Sequence, residues 1–518
     1  MRSKRLFTIR FRFYSKLLGA LTLLLGSLAP LSNAYAEVKL AKLFSDSMVI
    51  QRGQPFNLWG TAAAGEGIKV VFNGRSYSAQ ANGQGRWLVT LPAQSASTGQ
   101  TIEIHASNSL ALSDVAFGDV FLAGGQSNME YKLDQVISRF PEEKTLDHYP
   151  DVRHFDVARH YDFSGPQSDI NGGQWAKAGK DTVGRFSAVG WFFAKDLSER
   201  VGVPIGVISS NVGATPIESW MSLEALQAFP EAQAMAYKLS NETSRMALRA
   251  EYAQQRKSWL RKNPNQKLPW LIKHSTSLDF KPTGFYNAMI APLQPMKFAG
   301  VIWYQGEGNT KDPKGYSDKF RGLIGLWREY FAQPKLPFMF VQLANFQKPD
   351  MQPAESRWAE LRAQQAEVFS TVDYTSMALA IDVGERHDIH PKDKKTVGER
   401  LALGARHWVY GEPGVDYVSP MVSDARASGA RVVINFDYIG EGLTVRGDRL
   451  SGFAIAGEDE KYVWAKASLQ DNEVTVWSDS VRKPKHVRYA WATNPEGANL
   501  YSISGLPAVP FSVEIERY

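Results

Sequence analysis

The stretch VFLAGGQSNMEYKLDQVI, residues 120–137, puts a lone serine at the junction of a predicted strand and a predicted helix. The apolar run ends in Gly124 and Gly125, and helical spacing begins after Ser127. A serine at such a turn exposes its hydroxyl at the rim of the sheet, where the free N–H groups of a helix N-terminus favour a developing oxyanion. Alternatively, Ser127 simply caps the helix. The rest of the chain decides between a nucleophile and a cap.

Residues 115–410 alternate between apolar strand candidates and amphipathic helices. The strand candidates are VFLAGG, PIGVISSNVG, GVIWYQGEG, FMFVQLANF and SMALAIDVG. The helices between and after them include VGWFFAKDLSERVG, FRGLIGLWREYF and WAELRAQQAEVF. This alternation predicts an α/β domain in which a parallel sheet carries helices on both faces.

Short β-like runs separated by Gly, Asn and Ser clusters flank that region. Residues 37–114 contain FNLWG, IKVVFNG, RWLVTLP and TIEIHAS, and residues 411–518 contain RVVINFDY, KYVWAKASL, EVTVWSD and HVRYAWA. Each flank predicts a β-rich, sandwich-like domain. Inside the α/β region, residues 232–280 hold a polar, Arg- and Lys-rich helical stretch. It predicts an insertion, which is either a solvent-exposed helical segment without a function of its own or a functional lid.

The first 36 residues have the pattern of a secretory signal peptide. Six basic residues and no acidic one come first, and the apolar run LLGALTLLLGSLAPL and the small-residue site Ala34-Tyr35-Ala36 follow them. An uncleaved membrane anchor is less favoured, because the apolar run is shorter than the roughly 20 residues that a span needs. We therefore expect residues 1–36 to be removed from an exported, periplasmic or secreted protein with no membrane partner.

Composition excludes several classes of function. The chain has 59 Lys and Arg against 53 Asp and Glu, and loss of the leader leaves 53 of each. A formally neutral mature chain gives no support for a nucleic-acid or anionic-membrane partner. The chain has no cysteine, which excludes cysteine nucleophiles and thiolate zinc sites.

Polar residues follow the predicted strands, at the edge where open α/β sheets bind ligands. A serine nucleophile needs a general base, normally histidine, within hydrogen-bond reach. Of nine histidines, His387 and His390 are the two on a strand-end loop of the α/β region that also carries an acid. Pro391 fixes the backbone after His390, and a strong helix, KKTVGERLALGARHWVY, follows. These features predict His390 as the base for Ser127.

Acyl transfer also requires hydrogen-bond donors aimed at the oxyanion of the tetrahedral intermediate. Gly213, after the second strand candidate, can offer a backbone N–H at close approach. Gln305, after the third, can offer a side-chain amide. Either residue could equally serve plain turn chemistry, but both stand at successive rims of the predicted sheet.

The blocks GGQSNM, NVGATPIESW, YNAMIAPL, WYQGEGN and DIHPKDK, in this order, resemble the SGNH-type esterases of the sialate O-acetylesterase family. The resemblance extends over nearly all of the mature chain and includes both β-rich flanks. It implies that Ser127 is the nucleophile and His390 the base. It also implies an oxyanion hole formed by the Ser127 N–H, the Gly213 N–H and the Gln305 amide. Gln305 departs from the broader SGNH pattern, which has Asn there, and agrees with the carbohydrate acetylesterase branch.

The acid of the triad is the weakest part of this resemblance. The wider pattern has Asp three residues before the histidine, a position that His387 occupies here, whereas Asp388 lies two before. We favour Asp388 as the acid that orients His390, with Glu307 on the neighbouring rim as the main alternative. A dyad assisted by a backbone carbonyl is the third possibility, because a carboxylate that only orients the imidazole can be moved or replaced.

The predicted function is an exported esterase that removes O-acetyl groups from a carbohydrate, with O-acetylated sialic acid as the first choice of substrate. Acetylated xylan or xyloglucan is the alternative within enzymes, and a non-catalytic carbohydrate-binding protein is the alternative outside them. The mechanism requires no metal and no organic cofactor. If the resemblance holds, four more residues lie near the mouth of the site and contact the sugar, although core or loop-stabilising roles stay open for each. They are Asn128, Asn309, Trp220 and Tyr286.

Overall fold

The computed structural model describes residues 37–515. Its N-terminal part consists of short strands, most of them antiparallel to their neighbours, and several alternate between buried and less buried residues, a pattern that leaves one face of a strand for a core. These strands are β1 (Lys39–Leu40), β2 (Val49–Gln51), β3 (Phe56–Thr61), β4 (Gly67–Phe72), β5 (Arg75–Gln80), β6 (Arg86–Leu91) and β7 (Ser97–His105). Strands β1, β3 and β6 form a three-stranded sheet, while β4 pairs with β5 and β7.

The next strand, β8 (Ser109–Gly125), joins the N-terminal strands to the central sheet. Its first half pairs with β7, and its second half forms the middle of the parallel sheet. The boundary predicted between residues 114 and 115 therefore falls inside a single continuous strand. The reason is that β8 hydrogen-bonds both to N-terminal strands and to central strands, so the two sets of strands share β8.

The central sheet has the strand order β10-β9-β11-β8-β12-β13-β14. All neighbours are parallel except the antiparallel edge strand β10. The sequence prediction of a parallel sheet is confirmed to that extent. The strands introduced here are β9 (Val152–Asp156), β10 (Trp175–Lys177), β11 (Ile205–Asn211), β12 (Gly300–Tyr304), β13 (Phe338–Gln342) and β14 (Thr375–Leu379).

Helices connect and cover these strands. They are α1 (Ser127–Glu130), α2 (Ala188–Val201), α3 (Pro230–Ser240), α4 (Glu242–Lys262), α5 (Trp270–Ser275), α6 (Tyr316–Tyr330), α7 (Arg357–Thr371) and α8 (Lys394–Trp408). The four long helices predicted from amphipathic spacing correspond to α2, α6, α7 and α8. The predicted insertion corresponds to α3, α4 and α5, between β11 and β12.

Successive residues of the central strands point into two different cores, because side chains alternate across a strand. Val120 and Leu122 of β8 belong to a core that also contains residues of α6 and α7. Phe121 and Ala123 belong to a second core with residues of α2 and α8. Burial on both faces explains why the central strands read as unbroken apolar runs.

The chain ends in a β-rich part with two four-stranded sheets, β15-β16-β21-β20 and β19-β18-β22-β24, and the pair β17-β23. Its strands are β15 (Met421–Ser428), β16 (Arg431–Asp437), β17 (Leu443–Val445), β18 (Phe453–Ala456), β19 (Val463–Trp464), β20 (Lys466–Gln470), β21 (Glu473–Trp477), β22 (His486–Tyr489), β23 (Leu500–Ser502) and β24 (Phe511–Glu514). Inward residues of both sheets, such as Val432 and Val487, share one core.

No helix within residues 37–515 is both long enough and apolar enough to span a bilayer. The predicted signal peptide, residues 1–36, lies outside the described residues.

Candidate active site

Three neighbouring strands of the central sheet end level with one another. Gly125, at the end of β8, pairs with Asn211 of β11 on one side and with Tyr304 of β12 on the other. Gly125 has φ +129°, and a Cβ there would lie 2.2 Å from the Tyr304 carbonyl oxygen. Only glycine fits so close a turn. The loops that follow the three strands therefore meet at one edge of the sheet.

Ser127 is the first residue of α1, and its backbone follows the N-cap residue Gln126. The possibility that Ser127 caps the helix is wrong, because its side chain hydrogen-bonds instead to a distant histidine. The Ser127 Oγ lies 3.0 Å from His390 Nε2. The Ser127 amide N–H donates to no protein acceptor among residues 37–515, which leaves it free as a helix N-terminal donor.

His390 lies on the loop between β14 and α8, where it is half-buried. Its Nδ1 is 3.0 Å from Asp388 Oδ1, and its backbone N–H donates to the same oxygen at 2.9 Å. An ionised carboxylate can only accept, so Nδ1 carries the proton and Nε2 presents its lone pair to the Ser127 hydroxyl. That is the tautomer that a general base requires.

The electrostatic surroundings keep this pair in working protonation states. Desolvation lowers the pKa of His390 below 6.5, against the opposing effect of Asp388. Desolvation alone would raise the pKa of Asp388, but hydrogen bonds from the His390 backbone and from Lys392 lower it overall. Lys392 Nζ donates to Asp388 Oδ2 at 3.0 Å and to the Tyr131 hydroxyl at 2.8 Å. The Tyr131 ring stacks on His390, with the ring centres 5.1 Å apart.

Glu307, the alternative acid, does not contact His390. Its Oε1 accepts a 2.5 Å hydrogen bond from Asn128 Nδ2, and Asn128 also donates to the Ile389 carbonyl at 3.1 Å. Asn128 Oδ1 accepts from the fully buried Lys394 Nζ at 2.5 Å. Burial raises the pKa of Glu307 and lowers the pKa of Lys394 to about 7. Asn128 thus bridges a buried acid and a buried base beneath the histidine loop.

The two predicted partner donors of the oxyanion hole are both occupied. The Gly213 N–H donates to Glu130 Oε2 at 2.6 Å. The Gln305 side chain is fully buried, and its amide donates to the Thr215 carbonyl and to Asn309 Oδ1. The prediction of Gln305 as an oxyanion donor is therefore corrected, because both of its side-chain N–H groups already donate hydrogen bonds to acceptors inside the protein.

The residues expected to contact sugar lie deeper than predicted. Trp220 is fully buried, and its Nε1–H donates to Thr215 Oγ1 at 2.9 Å. Tyr286 is buried against Tyr330, and desolvation raises its pKa. Asn309 is also buried, where it donates to Glu218 and accepts from the Ile217 N–H. Trp220 and Asn309 therefore brace the loop that follows β11, while Tyr286 packs in the core.

Sequence reasoning missed Glu130, Lys392 and Lys394. Glu130 lies three residues after Ser127 in α1, a spacing that puts both on one helix face. Lys392 and Lys394 belong to the same DIHPKDK block as the predicted base and acid. Across residues 37–515 no group of three or more His, Cys, Asp or Glu side chains is arranged to hold a metal ion.

Comparisons with known proteins agree with this chemistry. The family model described as carbohydrate esterase, sialic acid-specific acetylesterase, matches residues 256–406. The sialate O-acetylesterase of Rattus norvegicus is 30% identical over 92% of this chain and 94% of its own length, and that of Homo sapiens is 28% identical over 94% and 96%. The crystal structure of a carbohydrate acetylesterase from Xanthomonas citri has a TM-score of 0.79 and 35% identity, and it covers 92% of this chain and 99% of its own.

The fold and the site are those of a carboxylic-ester hydrolase. The relatives identify the branch more closely: the chain belongs to the sialate O-acetylesterase family.

Proposed function

We propose that this esterase removes O-acetyl groups from a carbohydrate by way of a Ser127–His390–Asp388 triad. The observation that carries the proposal is the 3.0 Å distance between Ser127 Oγ and His390 Nε2, with Asp388 Oδ1 3.0 Å from the other ring nitrogen. Both distances are within the range needed for proton transfer and for orienting the base. Glu307 stays in the network beneath the site as a positioning group.

In the acylation step, Ser127 Oγ attacks the acetyl carbonyl and His390 Nε2 takes the hydroxyl proton. The lowered pKa of His390 keeps the imidazole neutral and able to accept that proton near neutral pH. Asp388 holds the Nδ1–H and stabilises the imidazolium that forms. When the tetrahedral intermediate breaks down, the sugar oxygen leaves with the proton from His390.

The oxyanion requires donors beside Ser127, and two backbone N–H groups are suitable. The Ser127 N–H is free, and the Gly213 N–H already binds an anionic oxygen of Glu130 at 2.6 Å. A substrate carbonyl oxygen that replaces the Glu130 carboxylate receives the same hydrogen bond. Each such donor contributes on the order of 3 kcal/mol to the transition state. Water activated by His390 then releases acetate from Ser127.

We propose O-acetylated sialic acid as the substrate, because the relatives over most of the chain are named sialate O-acetylesterases. The alternative of acetylated xylan or xyloglucan stays open to test, since the similar Xanthomonas citri enzyme is described more broadly as a carbohydrate acetylesterase. We further propose that the second half of β8, the other central strands and their helices as far as residue 410 form an SGNH-type domain, and that the strands before and after it form β-rich flanking domains. Export through residues 1–36 stays a prediction.

The test is acetate release, measured side by side on O-acetylated sialic acid, acetylated xylan and acetylated xyloglucan. We expect the highest kcat/KM on sialic acid and no release by Ser127→Ala, which should keep the thermal unfolding curve of the wild type. Preference for either plant polysaccharide would replace the proposed substrate. Near wild-type turnover by Ser127→Ala would overturn the serine mechanism.

A further inference from the structure

The helical insertion reaches the loop that carries Gly213. His274, in α5, lies with its Nε2 2.8 Å from the Ala214 carbonyl oxygen. Ala214 follows Gly213 directly and has φ +65°, a left-handed conformation that costs free energy for a residue with a side chain. A Cβ built on Gly213 would lie 3.2 Å from Ser127 Cβ. The insertion therefore contacts a turn that borders the nucleophile.

Three aromatic rings are stacked at this contact. His274 lies between Phe280, with ring centres 4.0 Å apart and planes at 17°, and Trp270, with ring centres 4.8 Å apart and planes at 27°. Trp270 forms the outer end of the stack and is 63% exposed. A large indole left in water, stacked on the His274 that contacts the Ala214 turn, is a candidate for stacking on a ligand, because its apolar face gains by being covered.

His274 also has a ring nitrogen that can accept a hydrogen bond from a ligand. A carbonyl oxygen can only accept, so the bond to Ala214 requires the proton on His274 Nε2. Desolvation lowers the pKa of His274 against the opposing effect of its hydrogen bond to Ala214, and Lys281 and Lys311 lower it further, which favours the neutral ring. In that ring Nδ1 is an acceptor, and no donor within residues 37–515 hydrogen-bonds to it. A sugar hydroxyl is a suitable donor.

We propose that the stack of Trp270, His274 and Phe280 is the carbohydrate platform of the active site. A pyranose ring of the substrate packs on the exposed face of Trp270, and a sugar hydroxyl donates to His274 Nδ1. His274 at the same time holds the Ala214 turn, so that the Gly213 N–H keeps facing Ser127. The insertion is then a specificity element, and this inference rests on the proposed carbohydrate esterase function.

The first test separates sugar binding from chemistry. We expect Trp270→Ala to raise KM for O-acetylated sialic acid and for acetylated xylan about tenfold, and to change KM for p-nitrophenyl acetate, which carries no sugar, by a much smaller factor. Trp270→Phe should restore most of the affinity. Leu271→Ala is the matched control, because Leu271 is the neighbouring residue of α5 and is 52% exposed. Unchanged KM values for both sugars in Trp270→Ala would overturn the platform.

The second test addresses His274. We expect His274→Ala to lower kcat on p-nitrophenyl acetate and on both sugar esters, because the Ala214 turn loses its donor. His274→Gln, which can still donate to the Ala214 carbonyl, should recover kcat but not the sugar KM. Equal kcat in His274→Ala and wild type would contradict the role in holding the loop.

Failure of the platform and failure of the proposed function give different results. Binding of O-acetylated sialic acid and acetylated xylan is measured by calorimetry with Ser127→Ala and with the double variant that adds Trp270→Ala. Weaker binding by the double variant supports the platform whether or not the wild type hydrolyses either sugar. Equal binding by both variants refutes it, while activity of the wild type tests the esterase function separately.

Discussion

Glu130 Oε2 accepts a 2.6 Å hydrogen bond from the Gly213 backbone N–H, directly beside the nucleophile candidate Ser127. Glu130 and Ser127 lie on the same face of α1, three residues apart. A carboxylate oxygen carries the kind of negative charge that a tetrahedral intermediate would bring to this N–H. The Glu130 carboxylate therefore occupies the place beside the Gly213 N–H where the oxyanion would lie, and a substrate carbonyl has to displace the Glu130 side chain.

We predict that Glu130→Gln lowers KM for p-nitrophenyl acetate. The neutral amide oxygen forms a weaker bond to the Gly213 N–H than a charged carboxylate does, by about 1 kcal/mol, which corresponds to roughly a fivefold change. Steady-state kinetics of wild type and variant measure this. Glu142→Gln, at an exposed position, serves as the control. A higher KM with a lower kcat would instead make Glu130 a residue that positions the Gly213 loop.

A second prediction separates the two candidate acids. Asp388→Asn should lower kcat by about 10⁴-fold, because an amide no longer fixes the Nδ1–H tautomer of His390. Glu307→Gln should cost much less, since Glu307 contacts Asn128 and not the imidazole. Both variants are assayed with p-nitrophenyl acetate after their folding is checked by circular dichroism. A loss in Glu307→Gln equal to that in Asp388→Asn would remove the distinction.

The pH profile gives a third prediction. Desolvation, with smaller effects from Lys394 and Lys392, lowers the pKa of His390 below 6.5. The base works only when neutral, so kcat/KM should rise with pH through a single acid limb whose midpoint lies below 6.5. Lys392→Met removes one of the cations and should move that midpoint to higher pH. A midpoint above 6.5 in the wild type would contradict the desolvated state of His390.

The buried Lys394 leads to a prediction about stability. Burial lowers its pKa from 10.5 to about 7, so between these values the unfolded chain binds more protons than the folded one. The free energy of unfolding of the wild type should then rise with pH across this window. Lys394→Met lacks the group, and the stability of the wild type relative to this variant should increase from pH 7 to pH 9. Urea unfolding at both pH values measures the difference, and a constant difference would show that Lys394 is charged in the fold.

Much of the architecture followed from local pattern. The helix predicted over residues 189–202 is α2 (Ala188–Val201), and the polar helical stretch predicted within residues 232–280 contains α4 (Glu242–Lys262). The apolar strand runs also became β-strands. Such patterns are local because a helix or strand must present one apolar face, or two, to a core. The continuity of β8 across the predicted boundary could not be predicted from the sequence, because it depends on which strands pair with each half of β8.

At the site, the sequence by itself determined the types of residue and the loops that carry them. Ser127, His390 and Asp388 are close in space because β8 and β14, which the loops of these residues follow, end at the same edge of the sheet through the registers of β12 and β13, as the order of the blocks suggested. Only the tertiary structure decided which hydrogen bonds form: Gly213 is bound by Glu130, and the Gln305 amide is turned into the protein. The physical reason is that a polar group takes its partner from whichever segment packs against it, and sequence spacing does not contain that packing.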